Sequence, residues 1–154
     1  MTKRLLVVAH APSPNTARLR DAIAAGVAAA ECDEIELKVQ SPFDTGPDDV
    51  LAAHAVILFT TENLGYMSGA LKDFFDRTYY QVLEEKQGLA YLLIVRAGHD
   101  GTGTRRGVET IITGLRWKAV QEPLICRGDF DEAFVGQCEE AGMLMAAGLD
   151  AGIF

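Results

Sequence analysis

Three short polar segments of this 154-residue chain carry side chains from which a ligand site could be built. The first, residues 10–16, follows the apolar run 5–9 and brings together an imidazole, an amide and two hydroxyls: His10, Asn15, Ser13 and Thr16. Such groups at the start of a helix can bind a phosphate, because the free N–H groups and the positive dipole end of the helix attract anions. The segment has no Lys or Arg, so hydrogen bonds alone would bind that phosphate. A second interpretation stays open, in which Ser13 or Asn15 only caps the helix.

Residues 60–67 form the second polar segment, which leads into an amphipathic stretch. Six candidate binding residues follow one another here: Glu62, Asn63, Leu64, Gly65, Tyr66 and Met67. Gly65 permits backbone conformations that other residues avoid, so its neighbouring amides could approach a ligand closely. Apolar residues at helical spacing then predict a core-facing helix: Met67, Leu71, Phe74 and Phe75. The alternative is that the segment is only the start of this helix, with Gly69 allowing close packing and the charges nearby solvated.

The third segment, residues 97–104, is rich in glycine and follows a buried apolar run. Its candidate binding residues are Gly98, His99, Asp100 and Gly101, because a glycine-rich loop lets the backbone approach a planar ligand. The spacing is not G-x-G-x-x-G, since Arg106 stands where the third glycine would fall, and this argues against a dinucleotide-binding motif. A surface turn in which His99 and Asp100 have no chemical role is the alternative.

The elements around these segments alternate between short apolar runs and amphipathic stretches, which predicts an α/β fold with helices on both faces of a parallel sheet. Residues 5–9, 55–59 and 89–95 are continuously apolar and predict central strands. Residues 35–39 alternate in polarity, and Pro123 interrupts the last strand, near residues 118–126, so these two strands belong at the edges. The predicted architecture is one domain, 1–154, with a five-stranded sheet in the order 2-1-3-4-5. In such a sheet the ligand lies beyond the carboxyl ends of the strands, where the three polar segments meet.

The composition argues against several classes of binding partner. The formal net charge is −8, which repels phosphate backbones and argues against nucleic acid or an anionic membrane as partner. No apolar stretch approaches the roughly 18 residues that would span a bilayer. The cysteines Cys32, Cys126 and Cys138 are widely spaced, so neither a disulfide framework nor a metal site is expected, and a cytoplasmic location is predicted.

Residues 67–77 resemble a sequence motif of a known protein family. The sequence Met67-Ser68-Gly69-x-Leu71-Lys72-x-Phe74-x-Asp76-Arg77 resembles the NADPH-dependent FMN reductase and flavodoxin-like quinone reductase family, and residues 10–16 look like that family's His-Ser-x-x-Gly-Asn-Thr phosphate loop. The resemblance implies a flavodoxin-like three-layer sandwich that binds FMN, takes electrons from NADH or NADPH and forms a homodimer. It also implies that residues 62–67 lie near the flavin ring and that residues 98–101 complete the pocket. Tyr66 could stack on the flavin or its donor, while no catalytic residue is certain because the flavin performs the chemistry.

The resulting hypothesis is an FMN-dependent NAD(P)H oxidoreductase that passes electrons to a small acceptor such as a quinone, an azo compound or free flavin. Two alternatives stay open. A flavodoxin-type electron carrier would use the acidic surface to dock basic redox partners. A flavin-free module of the same fold, binding another protein, is suggested by Ala11, Pro12 and Pro14, since the family has a serine at the first position and prolines lack an N–H to donate.

Other chemistries of similar folds lack their key residues. Receiver domains need acidic residues after the first and third strands, where this chain has His10-Ala11 and Thr60-Thr61. None of the three cysteines lies in a phosphate loop, as a tyrosine phosphatase nucleophile would. Phosphorylation signalling and phosphate-ester hydrolysis are therefore not expected.

Overall fold

The computed structural model describes every residue of the chain, 1–154. Strands and helices alternate along the sequence, as the apolar pattern predicts. The strands are β1 (Lys3–Ala9), β2 (Ile35–Gln40), β3 (Ala55–Asn63), β4 (Tyr66–Met67), β5 (Ala90–Ala97), β6 (Lys118–Ala119) and β7 (Leu124–Arg127). The helices are α1 (Pro14–Ala29), α2 (Pro47–Ala52), α3 (Gly69–Val82), α4 (Thr102–Leu115) and α5 (Ala133–Asp150), with one turn of 3-10 helix at Pro42–Asp44.

The main sheet is parallel, in the order β2-β1-β3-β5-β6, with β7 also paired to β5 and the short β4 paired antiparallel to β3. β6 and β7 are two pieces of one edge strand, because β6 lies beside Ala90 and Tyr91 and β7 lies beside residues 94–97 of the same neighbour. Counted together, they confirm the predicted order 2-1-3-4-5. The break between them contains Pro123, whose missing N–H cannot join the ladder.

The central strands β1, β3 and β5 are buried on both faces, which explains their continuous apolar sequences. Successive side chains of β1 alternate between two core clusters. Leu5 and Val7 pack in the cluster beneath α1 and α5, while Leu6 and Val8 pack in the cluster beneath α3 and α4. Each of these fully buried side chains contributes about 1.5–3 kcal/mol relative to an exposed one. The result is the predicted three-layer sandwich, which holds the carboxyl ends of the strands at one rigid edge.

Strand β2 is an edge strand, as its alternating sequence predicts. Ile35 and Leu37 are half-buried, whereas Glu36 is exposed. The Lys38 Nζ donates a 2.6 Å hydrogen bond to Oδ1 of Asp49 and so joins β2 to α2. Burial raises the pKa of Asp49, but the hydrogen bonds from Lys38 and from the N–H of Gly46 outweigh it and hold that pKa below its usual value.

Helix α3 begins two residues after the first member of its predicted apolar stripe. Met67 lies in β4, opposite Glu62, and not in the helix. Ser68 caps α3 by accepting a 3.1 Å hydrogen bond from the N–H of Leu71, and such a cap fixes where a helix starts. A Cβ on Gly69 would meet open space, so this glycine does not allow a close contact. None of the five helices has the length and apolar character that crossing a bilayer requires.

Candidate functional site

The first polar segment connects β1 to α1 at the carboxyl edge of the sheet. The N–H of His10 donates to the carbonyl of Phe59 on β3 at 2.9 Å and so ties the segment to the neighbouring strand. Ser13 and Thr16 form a reciprocal cap at the start of α1: the N–H of Thr16 donates to Ser13 Oγ at 3.2 Å, and the N–H of Ser13 donates to Thr16 Oγ1 at 2.9 Å. Ser13 therefore caps α1, and phosphate binding by its hydroxyl stays a prediction. Thr16 is buried, so its hydroxyl faces the protein.

Several donors in this segment keep free hydrogen-bonding capacity. The N–H of Ala11 has no acceptor within the protein, and the N–H of Asn15 lies in the first turn of α1, where a helix provides none. The side chains of Asn15 and Ser13 are exposed. Burial lowers the pKa of His10, which favours its neutral imidazole near neutral pH. These donors fit a small phosphate group without a countercharge, which is the phosphate end that FMN would need.

The second segment folds as a β-hairpin that sequence reasoning missed. Strands β3 and β4 pair antiparallel, with Glu62 opposite Met67 and Asn63 opposite Tyr66. The turn between them is Leu64-Gly65, and both residues have positive φ, 53° and 77°. A two-residue turn of this kind matches the twist of the strands that it joins. The side chain of Leu64 is fully exposed at the tip of the hairpin.

A buried pair of hydroxyls fixes the base of this hairpin. The Thr60 Oγ1 donates to Ser68 Oγ at 3.1 Å and accepts from the N–H of Ser68 at 3.0 Å. Both residues are fully buried. Because a buried polar group without a partner is costly, this reciprocal bonding stabilises the end of β3 against the start of α3. Met67 also packs in the core beside them, so a ligand could contact it only through its backbone.

The third segment is attached to the hairpin by one carboxylate. Glu62 accepts a 2.9 Å hydrogen bond from the N–H of His99 at Oε1 and another 2.9 Å bond from the N–H of Gly101 at Oε2. Gly101 has a φ of 72°, which lets it turn the chain from the strand into α4. The second and third segments thus form one connected unit. Sequence reasoning named all three residues as candidates but did not foresee this contact.

Asp100 has a structural role within the same loop. Its Oδ1 accepts a 3.0 Å hydrogen bond from the N–H of Thr102. That bond lowers the pKa of Asp100, assisted by the positive charge of Arg127. The side chain of His99 is exposed and has no hydrogen-bond partner within the protein. Gly98 is also exposed, so the loop between β5 and α4 presents its backbone to solvent beside the hairpin.

The hairpin lies directly on α4, because two glycines of that helix leave room for it. A Cβ on Gly103 would clash with the carbonyl oxygen of Gly65, and a Cβ on Gly107 would clash with the ring of Tyr66. The Tyr66 ring therefore rests against α4 with 40% of the residue exposed. Its predicted stacking on a flavin stays a prediction, and part of the ring is already covered by the helix.

Two cavities open at the carboxyl edge of the sheet. One, of about 360 Å³, lies beside the first segment and is lined in part by His10, Pro12, Arg20 and the exposed Phe43. The other, of about 330 Å³, lies on the far side of the third segment, between the start of α4 and the end of β7. The carboxyl ends of β1, β3 and β5 thus bring all three polar segments to one edge, as predicted from the sequence.

Comparison with known proteins addresses the fold. No protein-family model matches this sequence, and none of the curated proteins matches it either. Among solved structures, a flavodoxin from the domain Archaea superposes with a TM-score of 0.79 at 18% identity, over 95% of this chain and 98% of the other. The two-electron reduced flavodoxin of Megasphaera elsdenii gives 0.74 at 17% identity, over 92% and 98%. A flavodoxin, WrbA-like protein from Agrobacterium tumefaciens gives 0.70 at 13% identity, over 99% of both chains. At these identities the comparison establishes the fold, which is flavodoxin-like.

Proposed function

We propose that this chain binds FMN at the carboxyl ends of β1, β3 and β5 and acts as an NAD(P)H-dependent oxidoreductase that reduces a small acceptor. One observation carries the proposal: three loops follow the adjacent strands β1, β3 and β5 where the winding of the sheet reverses, and the first of them offers unpaired N–H groups at the start of α1. Open α/β sheets bind their ligands at this place. Two of the structures with this fold are named flavodoxins, which favours a flavin as that ligand.

The residues that would hold FMN divide between its two ends. The N–H groups of Ala11 and Asn15, the Asn15 carboxamide and the Ser13 hydroxyl would bind the phosphate. The hairpin turn and residues 98–101 would border the ring, and the Glu62 carboxylate keeps those two parts at a fixed separation. Bound FMN supplies the hydride and electron chemistry. The chain then needs no acid or base of its own, only a fixed loop geometry and a ring face open to the donor.

An electron carrier is the second candidate, and the charge of the chain favours it. The sequence has 22 acidic and 14 basic residues, and such an excess would steer basic redox proteins to the surface. Rapid mixing of the FMN-loaded chain with NADPH or NADH under anaerobic conditions separates the two functions. The oxidoreductase loses its yellow absorbance within seconds with at least one donor. A carrier stays oxidised with both and is reduced only by a reductase protein.

A flavin-free binding module is the third candidate, and the first segment provides its support. Ser13 and Thr16 are bonded to each other, and Pro12 and Pro14 donate nothing, so the cradle has few donors. Titration with FMN, followed by flavin fluorescence, tests this candidate against the proposal. We expect saturable binding for the wild-type chain. A chain that leaves FMN fluorescence unchanged at high micromolar concentration is the flavin-free module.

The variant Asn15→Asp sharpens this titration. A carboxylate in the first turn of α1 interacts favourably with the helix dipole but repels a phosphate. Folding stability should therefore stay the same or rise, while FMN affinity falls at least tenfold. Riboflavin, which lacks the phosphate, serves as the matched control ligand. Its affinity should be the same for the variant and the wild-type chain. Equal FMN affinity for both chains would place the phosphate elsewhere and contradict the proposed site.

A further inference from the structure

The second cavity at the carboxyl edge contains a concentration of positive charge. It measures about 330 Å³ and lies between the first turns of α4 and the end of β7. Three arginines line it, Arg105 and Arg106 from α4 and Arg127 from β7, and Ile125 is its one apolar wall residue. Its size falls at the lower end of the range for small-molecule pockets. A ligand of this cavity must therefore be small and polar.

Two of these arginines form no ion pair with a carboxylate, although the chain has a formal net charge of −8. The Arg106 guanidinium makes no hydrogen bond and no ion pair within the protein. Arg127 uses only its Nε, which donates to the carbonyl oxygen of Asp100 at 2.8 Å, so its terminal nitrogens stay free. Arg96 also lacks a carboxylate, but its guanidinium donates to the carbonyls of Ala97 and Cys126. The cavity is therefore lined by two guanidinium groups that keep unused donors.

The acidic residues of the cavity do not cancel this charge. Glu109 is paired with Arg105, whose Nε lies 3.2 Å from its Oε1. Asp100 is turned toward the backbone, where it accepts from the N–H of Thr102. Among the lining residues, Arg106 and Arg127 thus carry two positive charges against the one remaining carboxylate, that of Asp100. The exposed Thr102 adds a hydroxyl to the same lining. The chemistry of this lining favours a small dianion.

We propose that this cavity binds a phosphomonoester, through the guanidinium groups of Arg106 and Arg127. Guanidinium forks match the oxygens of a phosphate and bind them with charge-assisted hydrogen bonds. The site lies apart from the start of α1 and shares only Asp100 and Gly101 with the loop that would border the flavin ring, so it goes beyond the proposed flavin site and needs no flavin to form. The same chemistry could come from free phosphate or from a nucleotide, such as the 2′-phosphate that distinguishes NADPH from NADH.

Calorimetric titration of the full chain, without added flavin, tests the proposal and its two sources. The probes are inorganic phosphate, adenosine 2′-monophosphate and adenosine. We expect both phosphates to bind, more weakly as salt is added, and adenosine to give no heat. Tighter binding of the nucleotide than of phosphate by tenfold or more identifies a nucleotide as the source, whereas equal affinities identify free phosphate.

Charge variants locate the site. Arg106→Gln and Arg127→Gln should each weaken phosphate binding about tenfold or more, because each removes charge-assisted bonds. Asp100→Asn should strengthen it several-fold, because it removes a repulsive charge while its side-chain oxygen can still accept from Thr102. Arg116→Gln is the matched control, since Arg116 lies at the other end of α4 and pairs with Glu84. Unfolding midpoints of all four variants confirm that each one is folded.

Two results would overturn the proposal. One is the absence of heat from both phosphate probes at millimolar concentration. The other is phosphate binding by Arg106→Gln and Arg127→Gln that equals binding by the Arg116→Gln control. Because no flavin is present, neither result depends on whether FMN binds at the opposite side of the loop.

Discussion

The Glu62 carboxylate connects two loops that lie more than 30 residues apart in sequence, and removing it should loosen both. It accepts one hydrogen bond from the N–H of His99 and one from the N–H of Gly101, each 2.9 Å long. Glu62→Ala removes both bonds. Glu62→Gln keeps one side-chain oxygen that can accept from one of these two N–H groups, but it places an NH₂ group next to the other N–H, where no hydrogen bond can form. The loop between β5 and α4 should therefore open more often in both variants, and most often in the alanine variant.

The size of the effect follows from the number and type of bonds. A hydrogen bond to a charged group contributes about 1.5–3 kcal/mol when buried, and half-buried Glu62 lies partly in water, so the pair together contributes about 2 kcal/mol. Glu62→Ala should lower the melting temperature by roughly 4–8 °C for a domain of this size. A free-energy loss of 2 kcal/mol also corresponds to about 30-fold faster amide exchange. Glu62→Gln should show about half the loss of free energy.

Hydrogen exchange followed by NMR measures this prediction at the atoms concerned. The amides of His99 and Gly101 should lose protection in Glu62→Ala, while the amides of β1 change only by the global loss of stability. Glu84→Gln is the matched control, because Glu84 is exposed and pairs only weakly with Arg116, at 3.4 Å. If the two loop amides exchange equally fast in the wild-type chain and in Glu62→Ala, the carboxylate does not hold the loop.

Three further predictions concern the turn, the helix contact and the edge strand. Leu64→Asn should raise the free energy of unfolding, measured by urea denaturation, by about 1 kcal/mol. Leu64 has a φ of 53° and a fully exposed side chain, whereas asparagine tolerates that backbone conformation. An unchanged urea midpoint would contradict the assigned turn. Gly103→Ala should destabilise the chain by more than about 1 kcal/mol, because the new Cβ would clash with the hairpin backbone. The control is Gly136→Ala on α5, where a new Cβ would meet open space. It should stabilise the chain by up to about 1 kcal/mol. Asp49, whose pKa is lowered by Lys38, stabilises the fold above its unfolded pKa of about 4 and loses that contribution as pH falls through its folded pKa. Urea midpoints between pH 7 and pH 2 should therefore fall less steeply for Asp49→Asn, and equal slopes would exclude this role.

The strands were predictable because their residues report burial directly. Continuous apolar runs identified β1, β3 and β5 as central, and the alternation around Leu37 identified β2 as an edge strand. Pro123 predicted a weakened last strand, and the strand is in fact divided there. The helices followed from apolar spacing in the same way. These features depend on local periodicity and on single backbone properties, which a sequence displays.

The hairpin and the loop contacts were not predictable in this way. β4 has only two residues, too few for periodicity, so Met67 was assigned to the stripe of the following helix. The bonds from Glu62 to the third segment join residues from separate elements, and no local pattern encodes such a pairing. Arg106 entered the sequence argument only as the residue that breaks a glycine motif. It lines one cavity with Arg127 because of the way α4 packs against β7, which no local pattern shows.

The proposed function depends on phosphate binding by the unpaired peptide N–H groups at the start of α1. Titration of the ¹⁵N-labelled chain with FMN, and separately with riboflavin, tests it most directly. We expect large shifts of the amide signals of Ala11 and Asn15 with FMN, and much smaller ones with riboflavin. Shifts that are confined to the arginine-lined cavity, or equal for both ligands at Ala11 and Asn15, would contradict it.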